Sequence, residues 1–393
     1  MTRTSSRLDL IKPSATIMVT MKAMELKARG QDIVSLSAGE PDFDTPPHIR
    51  EAAIAAIHEG KTRYTAVDGT PELKTAIIEK FRRDNSLDFR PEQVIASNGA
   101  KQCLYNLMVA TLNHGDEVVV PAPYWVSYPD MVKLADGLPV ILSTTAEHDF
   151  KITAKQLQAS LTDNTRMIIL NSPSNPTGKV YTEEEYREIG AVLSEHAKIL
   201  IACDDIYECI YWGEGPYRTF LNSCPHLADR TVVINGVSKG YAMTGWRIGY
   251  LAGPEDLVKS MRKVQSQSTS CPGSVSQAAA VAALSGPQAC VEDMRQAFQQ
   301  RYEFMHRALN DLPGVSSTRC DGAFYAFPSF QEFIDQNDDV RDDVELADWM
   351  LENAGVATVP GSAFGAPGHL RLSYAASMDY LEDAIGRIKK AMS

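Results

Sequence analysis

Short apolar runs alternate with longer amphipathic stretches through the middle of this chain, and no other feature narrows the fold as much. The runs Gln93–Ser97, Glu117–Pro121, Pro139–Ser143, Arg166–Asn171, Lys198–Cys203, Thr231–Asn235 and Ile248–Gly253 read as strands. Helical stretches such as Lys101–Leu112, Glu183–His196 and Glu255–Val264 lie between them. Strands separated by helices build a mostly parallel α/β sheet. Nearly continuous apolar strands are expected to be covered on both faces. A long amphipathic segment, about Pro287 to Leu312, leads out of this block. Beyond it come Gly322–Phe327, a helix near Val344–Ala354, then Val356–Val359 and His369–Tyr374, the pattern of a smaller α+β unit. The first 45 residues are too few to fold alone and are expected to pack against that unit.

In an open parallel sheet, ligands bind beyond the carboxyl ends of the strands. The chemically unusual residues fall there, strand after strand. Asn98-Gly99-Ala100-Lys101 follows the first run as a glycine turn into a helix, whose free N–H groups suit a phosphate. Tyr124-Trp125 follows the second and offers cover for a flat ring, although an aromatic pair is more often core. Asn171-Ser172-Pro173-Ser174-Asn175-Pro176-Thr177-Gly178 forms a rigid loop presenting Asn175. Asp204-Asp205-Ile206-Tyr207 puts carboxylates at the end of a buried strand, where a charge needs a partner such as a protonated ring nitrogen. Arg371 sits between apolar neighbours in a late strand and, if inward, needs an anion such as a substrate carboxylate.

The densest stretch is Asn235-Gly236-Val237-Ser238-Lys239-Gly240-Tyr241-Ala242-Met243-Thr244-Gly245-Trp246-Arg247-Ile248-Gly249-Tyr250. A lysine delivered by a strand end beside a fixed cation suits a Schiff base with an aldehyde cofactor that carries a phosphate. Gly236-Val237-Ser238-Lys239-Gly240 also fits the Gly-x-Ser-x-Gly nucleophile elbow of hydrolases. That motif requires an immediate helix, whereas Tyr241–Gly249 reads as an irregular loop entering another strand. No complete Gly-x-Gly-x-x-Gly follows a strand, so a dinucleotide enzyme is disfavoured.

These motifs, in this order, resemble those of fold-type I, pyridoxal-phosphate-dependent class I/II aminotransferases, and most of all their bacterial aspartate and aspartate–prephenate subgroup. Gly245-Trp246-Arg247-Ile248-Gly249-Tyr250 fits in full, as do Asn175-Pro176-Thr177-Gly178 and Arg371-Leu372-Ser373-Tyr374. Ala38-Gly39-Glu40-Pro41-Asp42-Phe43, Tyr64-Thr65-Ala66-Val67-Asp68-Gly69 and Lys12-Pro13-Ser14-Ala15-Thr16 extend the likeness over about residues 10 to 390. Gly236 stands where many members carry a serine, and Cys203 and Asp205 replace their usual serine and glutamate.

The resemblance implies a large domain, residues 46–304, with a mostly parallel seven-stranded sheet flanked by helices. It implies a smaller α+β domain built from both termini, residues 1–45 with 305–393. Pyridoxal 5'-phosphate would be bound as an imine to Lys239, with Asp204 on its ring nitrogen and Trp125 on its ring. Asn175 and Tyr207 would hydrogen-bond its phenolic oxygen and lower the imine pKa. Gly99, Ala100, Lys101, Ser238 and Arg247 would hold the phosphate, with Tyr64 reaching in from a second subunit of a homodimer with shared sites. Arg371, with Asn175, Trp125 and Gly39, would bind the substrate α-carboxylate, and Lys12 and Lys101 the distal carboxylate of aspartate or 2-oxoglutarate. Prephenate-accepting or alanine-preferring transamination is the alternative.

Bulk properties agree with a metabolic enzyme. A net charge of −12 disfavours nucleic acid or an anionic membrane as main partner, so cations for an acidic substrate must be concentrated locally. Seven cysteines with no CxxC pair suit a reducing cytoplasm, and the N-terminal stretch lacks the apolar core of a signal peptide.

Overall fold

The computed structural model describes residues 4–393; residues 1–3, part of the N-terminal stretch read above, lie outside it. Twelve strands occur among the described residues. They are β1 (Val34–Ser35), β2 (Val94–Ser97), β3 (Glu117–Ala122), β4 (Leu138–Ser143), β5 (Thr165–Asn171), β6 (Leu200–Asp204), β7 (Thr231–Gly236), β8 (Gly249–Ala252), β9 (Tyr325–Ala326), β10 (Val356–Ala357), β11 (Val359–Pro360) and β12 (Leu370–Ser373). Seven of them form one sheet in the order β2-β8-β7-β6-β5-β3-β4. Only β8 runs antiparallel to its neighbours.

Successive side chains of a strand point to opposite faces, and here both faces are apolar. Ile95, Val118, Val120, Ile169, Val232, Ile234 and Leu251 pack on one side with Leu104, Leu107 and Met108 of the helix Ala100–Thr111. Val119, Ile168, Leu170 and Ile201 pack on the other against Tyr186, Ile189 and Leu193 of the helix Glu183–Ser194. Fully burying each such side chain contributes about 1.5–3 kcal/mol, which is why the sheet tolerates no polar alternation at its centre. Helix starts are encoded locally: Thr182 and Glu185 form a capping box, and three glutamates, Glu183 to Glu185, favour the positive end of the dipole.

A second unit forms around the helix Ala289–Asn310, the antiparallel trio β11-β12-β9 and the C-terminal helix Met378–Ala391. The N-terminal segment joins it through β1, which pairs in parallel with β10. The Val356–Val359 run, expected as one strand, is two: β10 pairs with β1, whereas β11 pairs with β12. Thr358 lies between them, so the chain changes sheets within a single residue.

The turn between β7 and β8 carries the lysine-and-arginine stretch. Gly236 is paired with Gly249, so the loop's two ends are clasped at its base. On its other side Gly249 abuts the start of the helix Ala100–Thr111: an added Cβ would lie 2.0 Å from the Ala100 nitrogen and 2.3 Å from the Gly99 carbonyl carbon. Those are backbone atoms and cannot step aside. Gly249→Ala is therefore expected to destabilise the protein by about 1–3 kcal/mol, the usual range for overpacking. A lowered midpoint of denaturant unfolding would register it; an unchanged midpoint would contradict the close approach.

Candidate active site

The strand ends bring the expected residues to one cavity of about 560 Å³, lined among others by Trp125, Asn175, Asp204, Tyr207, Lys239 and Arg371. Register explains much of this. Asn171, the last residue of β5, lies beside Asp204, the last of β6. Asn171 Nδ2 donates to the Asp204 carbonyl at 2.7 Å, and its Oδ1 accepts the Asn175 N–H at 2.8 Å. One side chain thus braces both the loop that presents Asn175 and the strand that presents Asp204.

Asp204 is 3% exposed, and its carboxylate accepts the Tyr128 hydroxyl at 2.6 Å. Burial pushes its pKa up to about 6, against the pull of Tyr128 and the Ile206 N–H. Lys239 Nζ donates to the Gly39 carbonyl. Burial draws the Lys239 ammonium down to about 8; Glu40 and Asp204 oppose this, while Arg371 and Arg247 add to it. Tyr207 is buried, with its hydroxyl 2.8 Å from that of Tyr325.

Arg371, 2% exposed, donates from Nη1 to Asn175 Oδ1 at 3.0 Å and from Nη2 to the Ser37 carbonyl at 2.6 Å. Its guanidinium carbon lies 4.5 Å from the Tyr325 ring centre and 5.0 Å from that of Phe364. Nε has no hydrogen-bond partner among the described residues. Burial lowers the Arg371 pKa, so an arriving carboxylate would relieve an unbalanced charge.

At the other end, Gly99 has φ +88° and faces Arg247, whose Nη2 would lie 2.2 Å from an added Cβ. Arg247 takes a left-handed backbone, φ 56°, and donates to the Thr244 carbonyl at 2.7 Å. Gly99 and Arg247 thus flank the start of the helix Ala100–Thr111, with Ser238 and Ala100 on the same cavity wall. Lys101 Nζ stands 4.8 Å from the Trp125 ring centre, and its pKa is lowered by burial and by Arg247.

Two expected residues lie apart from this group. Lys12 is exposed and lines an adjoining cavity of about 500 Å³ that shares Lys101 and Arg247 with the first. Tyr64 is 92% exposed in the single chain and borders a different cavity. Reasoning on the sequence missed Tyr128, Asn171 as a brace, Tyr325 and Phe364. Tyr128, three residues past Trp125, carried the only usable signal: one helical turn places it behind the ring cover. No helix follows Ser238; the loop holds only a short 3₁₀ turn, Thr244–Trp246, which removes the hydrolase elbow.

The residues fit pyridoxal phosphate on four counts. There is a buried amine of lowered pKa for the aldehyde and a glycine–arginine cradle at a helix start for the phosphate. There is a buried carboxyl without a cation in hydrogen-bond reach among the described residues, fit for the ring nitrogen, and the Tyr207 hydroxyl, fit for the phenolic oxygen.

Two outcomes follow for the cofactor-free protein. Its rate of pyridoxal phosphate uptake should rise with pH around a midpoint near 8, where Lys239 loses its proton, and not near the ordinary 10.5. Asp204 has a folded pKa above its ordinary 3.8, so its contribution to stability is complete below that value and lost as pH rises to about 6. Asp204→Asn should therefore stabilise the cofactor-free protein near neutral pH by up to about 3 kcal/mol and add little near pH 4. Denaturant unfolding at the two pH values checks the sign.

Comparison with known proteins agrees with this geometry. The family described as aminotransferase class I and II matches residues 31–388. The chain is 51% identical to the aspartate/prephenate aminotransferase of Nitrosomonas europaea, over 99% of both sequences. It is 50% identical to the aspartate aminotransferase of Geobacillus stearothermophilus, over 99% of this chain and 98% of that one. Among solved structures, the Rhizobium meliloti aspartate aminotransferase superposes with a TM-score of 0.96 at 44% identity, covering 100% of this chain and 99% of that chain. The Thermus thermophilus enzyme with maleate gives 0.94 at 42% identity, covering 100% of both. A buried lysine, a buried carboxyl and a glycine–arginine pair at a helix start, all at the ends of a seven-stranded sheet and joined to full-length matches of this depth, place the chain in the class I and II aminotransferases.

Proposed function

We propose that this chain moves an amino group between L-aspartate and 2-oxoglutarate, as a pyridoxal-phosphate-dependent aspartate aminotransferase working by a ping-pong cycle. The observation that carries the reading is the pairing of Arg371 with Lys239 across one cavity, with Lys101 on a further wall. When bound, the cofactor supplies an aldehyde for the amine and a cationic ring that draws electrons from the substrate Cα.

The chain's own residues do the rest. Asp204 keeps a proton on the ring nitrogen by offering it a buried carboxylate. Arg371 grips the α-carboxylate with the fork atoms that Asn175 and Ser37 have already oriented, so little orientational freedom is left to lose. Lys239 Nζ is the base that takes the Cα proton, and its pKa, lowered to about 8, raises the share of free amine near neutrality. Tyr207, aligned by Tyr325, donates toward the phenolic oxygen. Trp125 stacks on the ring, and Gly99, Ala100, Ser238 and Arg247 hold the phosphate.

Lys101 and Lys12 supply the positive charge for a distal carboxylate. The Thermus thermophilus relative was solved with maleate, itself a dicarboxylate. Three relatives are named for prephenate as well as aspartate, one of them with the word probable. The adjoining cavity beside Lys12 is the observation that favours prephenate as a further acceptor. The exposed Tyr64 supports a homodimer in which this residue completes the partner's phosphate site. Pairing of β1 with β10 supports the division into residues 46–304 and 1–45 with 305–393. A cytoplasmic location is supported by seven unpaired cysteines and by the lack of any helix, among the described residues, long and apolar enough to cross a membrane.

The first experiment mixes the yellow holoenzyme with single amino acids and follows absorbance. Loss of the yellow band should be much faster with L-aspartate and L-glutamate than with L-alanine; indifference to both dicarboxylates would overturn the substrate. Lys12→Ala and Lys101→Ala should each lower kcat/KM for aspartate by about tenfold or more, the worth of one charge-assisted contact, and leave alanine nearly unchanged. Equal losses on both substrates would refute distal-carboxylate recognition.

A further inference from the structure

Beneath the cavity, and lining no part of it, lies a second cluster of charge. Lys80 is 1% exposed, Asn85 3% and Glu208 6%. Lys80 Nζ donates to Glu208 Oε1 and, at 2.7 Å, to Asn85 Oδ1. Asn85 Nδ2 closes the triangle by donating to Glu208 Oε2 at 2.8 Å. Asp84 stands 3.8 Å from the same ammonium, partly exposed. Burial alone would draw the Lys80 ammonium down, but Glu208, Cys209 and Asp84 outweigh it, and its pKa lies above the ordinary value.

A buried ion pair is weak evidence for stability, because desolvation of both charges offsets much of their attraction. Its place in the chain suggests another use. Lys80 and Asn85 belong to the helix Pro71–Asn85, which is fixed at its start by the Thr70 cap and at its end by a left-handed Ser86. Glu208 belongs to the tight turn after β6, where its N–H donates to the Asp205 carbonyl at 3.0 Å and the Ile210 N–H donates to the Tyr207 carbonyl at 2.8 Å. Tyr207 therefore leaves the same turn toward the cavity while Glu208 leaves it toward the helix. The next residue, Cys209, presses under the lysine loop: a Cβ on Gly240 would lie 2.9 Å from the Cys209 Cβ.

We propose that Lys80, Asn85 and Glu208 are positioning residues that lock the turn after β6, so that Tyr207 is aimed at the cofactor's phenolic oxygen and the Lys239 loop rests on a fixed floor. This rests on the cofactor assignment above and extends it to residues that touch neither cofactor nor substrate. Anchoring one side of a three-residue turn fixes the direction of the other side. A shift of Tyr207 by a fraction of an ångström lengthens its hydrogen bond, and the charge it supports at the Lys239 nitrogen changes accordingly.

The test compares wild type, the double variant Lys80→Met/Glu208→Leu, Tyr207→Phe and the triple variant, all as holoenzymes. The readouts are the pH midpoint of the yellow chromophore's absorbance change and kcat for aspartate. Removing both charges together avoids leaving either buried alone, so the double variant should stay folded. Its chromophore midpoint should rise by about half a pH unit or more, in the same direction as that of Tyr207→Phe. Its kcat should fall about five- to tenfold. The triple variant should show no further midpoint shift beyond Tyr207→Phe, because both changes act through one hydroxyl. A folded, yellow double variant with the wild-type midpoint would overturn the proposal, as would a shift that adds in full to that of Tyr207→Phe. If the double variant fails to fold, Asn85→Ala carries the same test, since it removes one contact from each charge and leaves the pair. A colourless wild-type protein would instead count against the cofactor assignment.

Discussion

Everything at the site answers to one costly placement, the carboxyl of Asp204 at the buried end of β6. A carboxylate there has lost its water, and among the described residues it receives only a tyrosine hydroxyl and a long backbone contact in return. Its raised pKa is the measure of that deficit. In the proposed role, a cationic ring set against it would restore the balance, so affinity for the cofactor and strain in the cofactor-free protein would be two sides of the same burial. Tyr128, Asn171 and the neighbouring strand β5 keep the carboxyl from swinging to a wetter position.

The two cations at opposite ends of the cavity, Arg371 and Arg247, fit the proposed binding of acidic molecules by an acidic protein. With a net charge of −12, long-range attraction works against an anionic substrate. Attraction is instead local. Arg371 sits between two aromatic rings with its fork already engaged, and Arg247 is held by the loop that also carries Lys239. Clasping that loop through Gly236 and Gly249 constrains where the Lys239 amine and the Arg247 guanidinium stand. The sharp left-handed turn at Arg247 returns the chain into β8, antiparallel to the strands on either side.

How much of this could be read beforehand depended on sequence distance. The sheet was legible because each strand is a continuous apolar run, and the observed ends fall within two residues of those expected. The site residues at strand ends were legible because loops with asparagine, proline and glycine mark where the backbone must turn. Tyr325 was not, since a buried aromatic is ordinarily core and only its hydroxyl partner reveals another use, and Tyr128 offered no more than its spacing from Trp125. The split of Val356–Val359 was hidden because its two halves are equally apolar and differ only in the partner each meets. Lys80 and Glu208 were illegible for a plainer reason: 128 positions separate them, and nothing in a charged residue of a helix announces that it faces inward.

Arg371 ties together parts of the chain that are made at very different times. Its side chain bonds Asn175 and Ser37, 196 and 334 positions earlier in the chain. Contacts of such span carry a larger loop-closure cost than local ones, because long loops must close to make them. During synthesis from the N-terminus, the sheet and Lys239 are complete while the substrate fork is still unmade. A growing chain can therefore complete the loop of Lys239 and Arg247 well before Arg371 exists to meet Asn175 and Ser37, and under the proposed roles the capacity to bind substrate would arrive as one of the last events of its assembly.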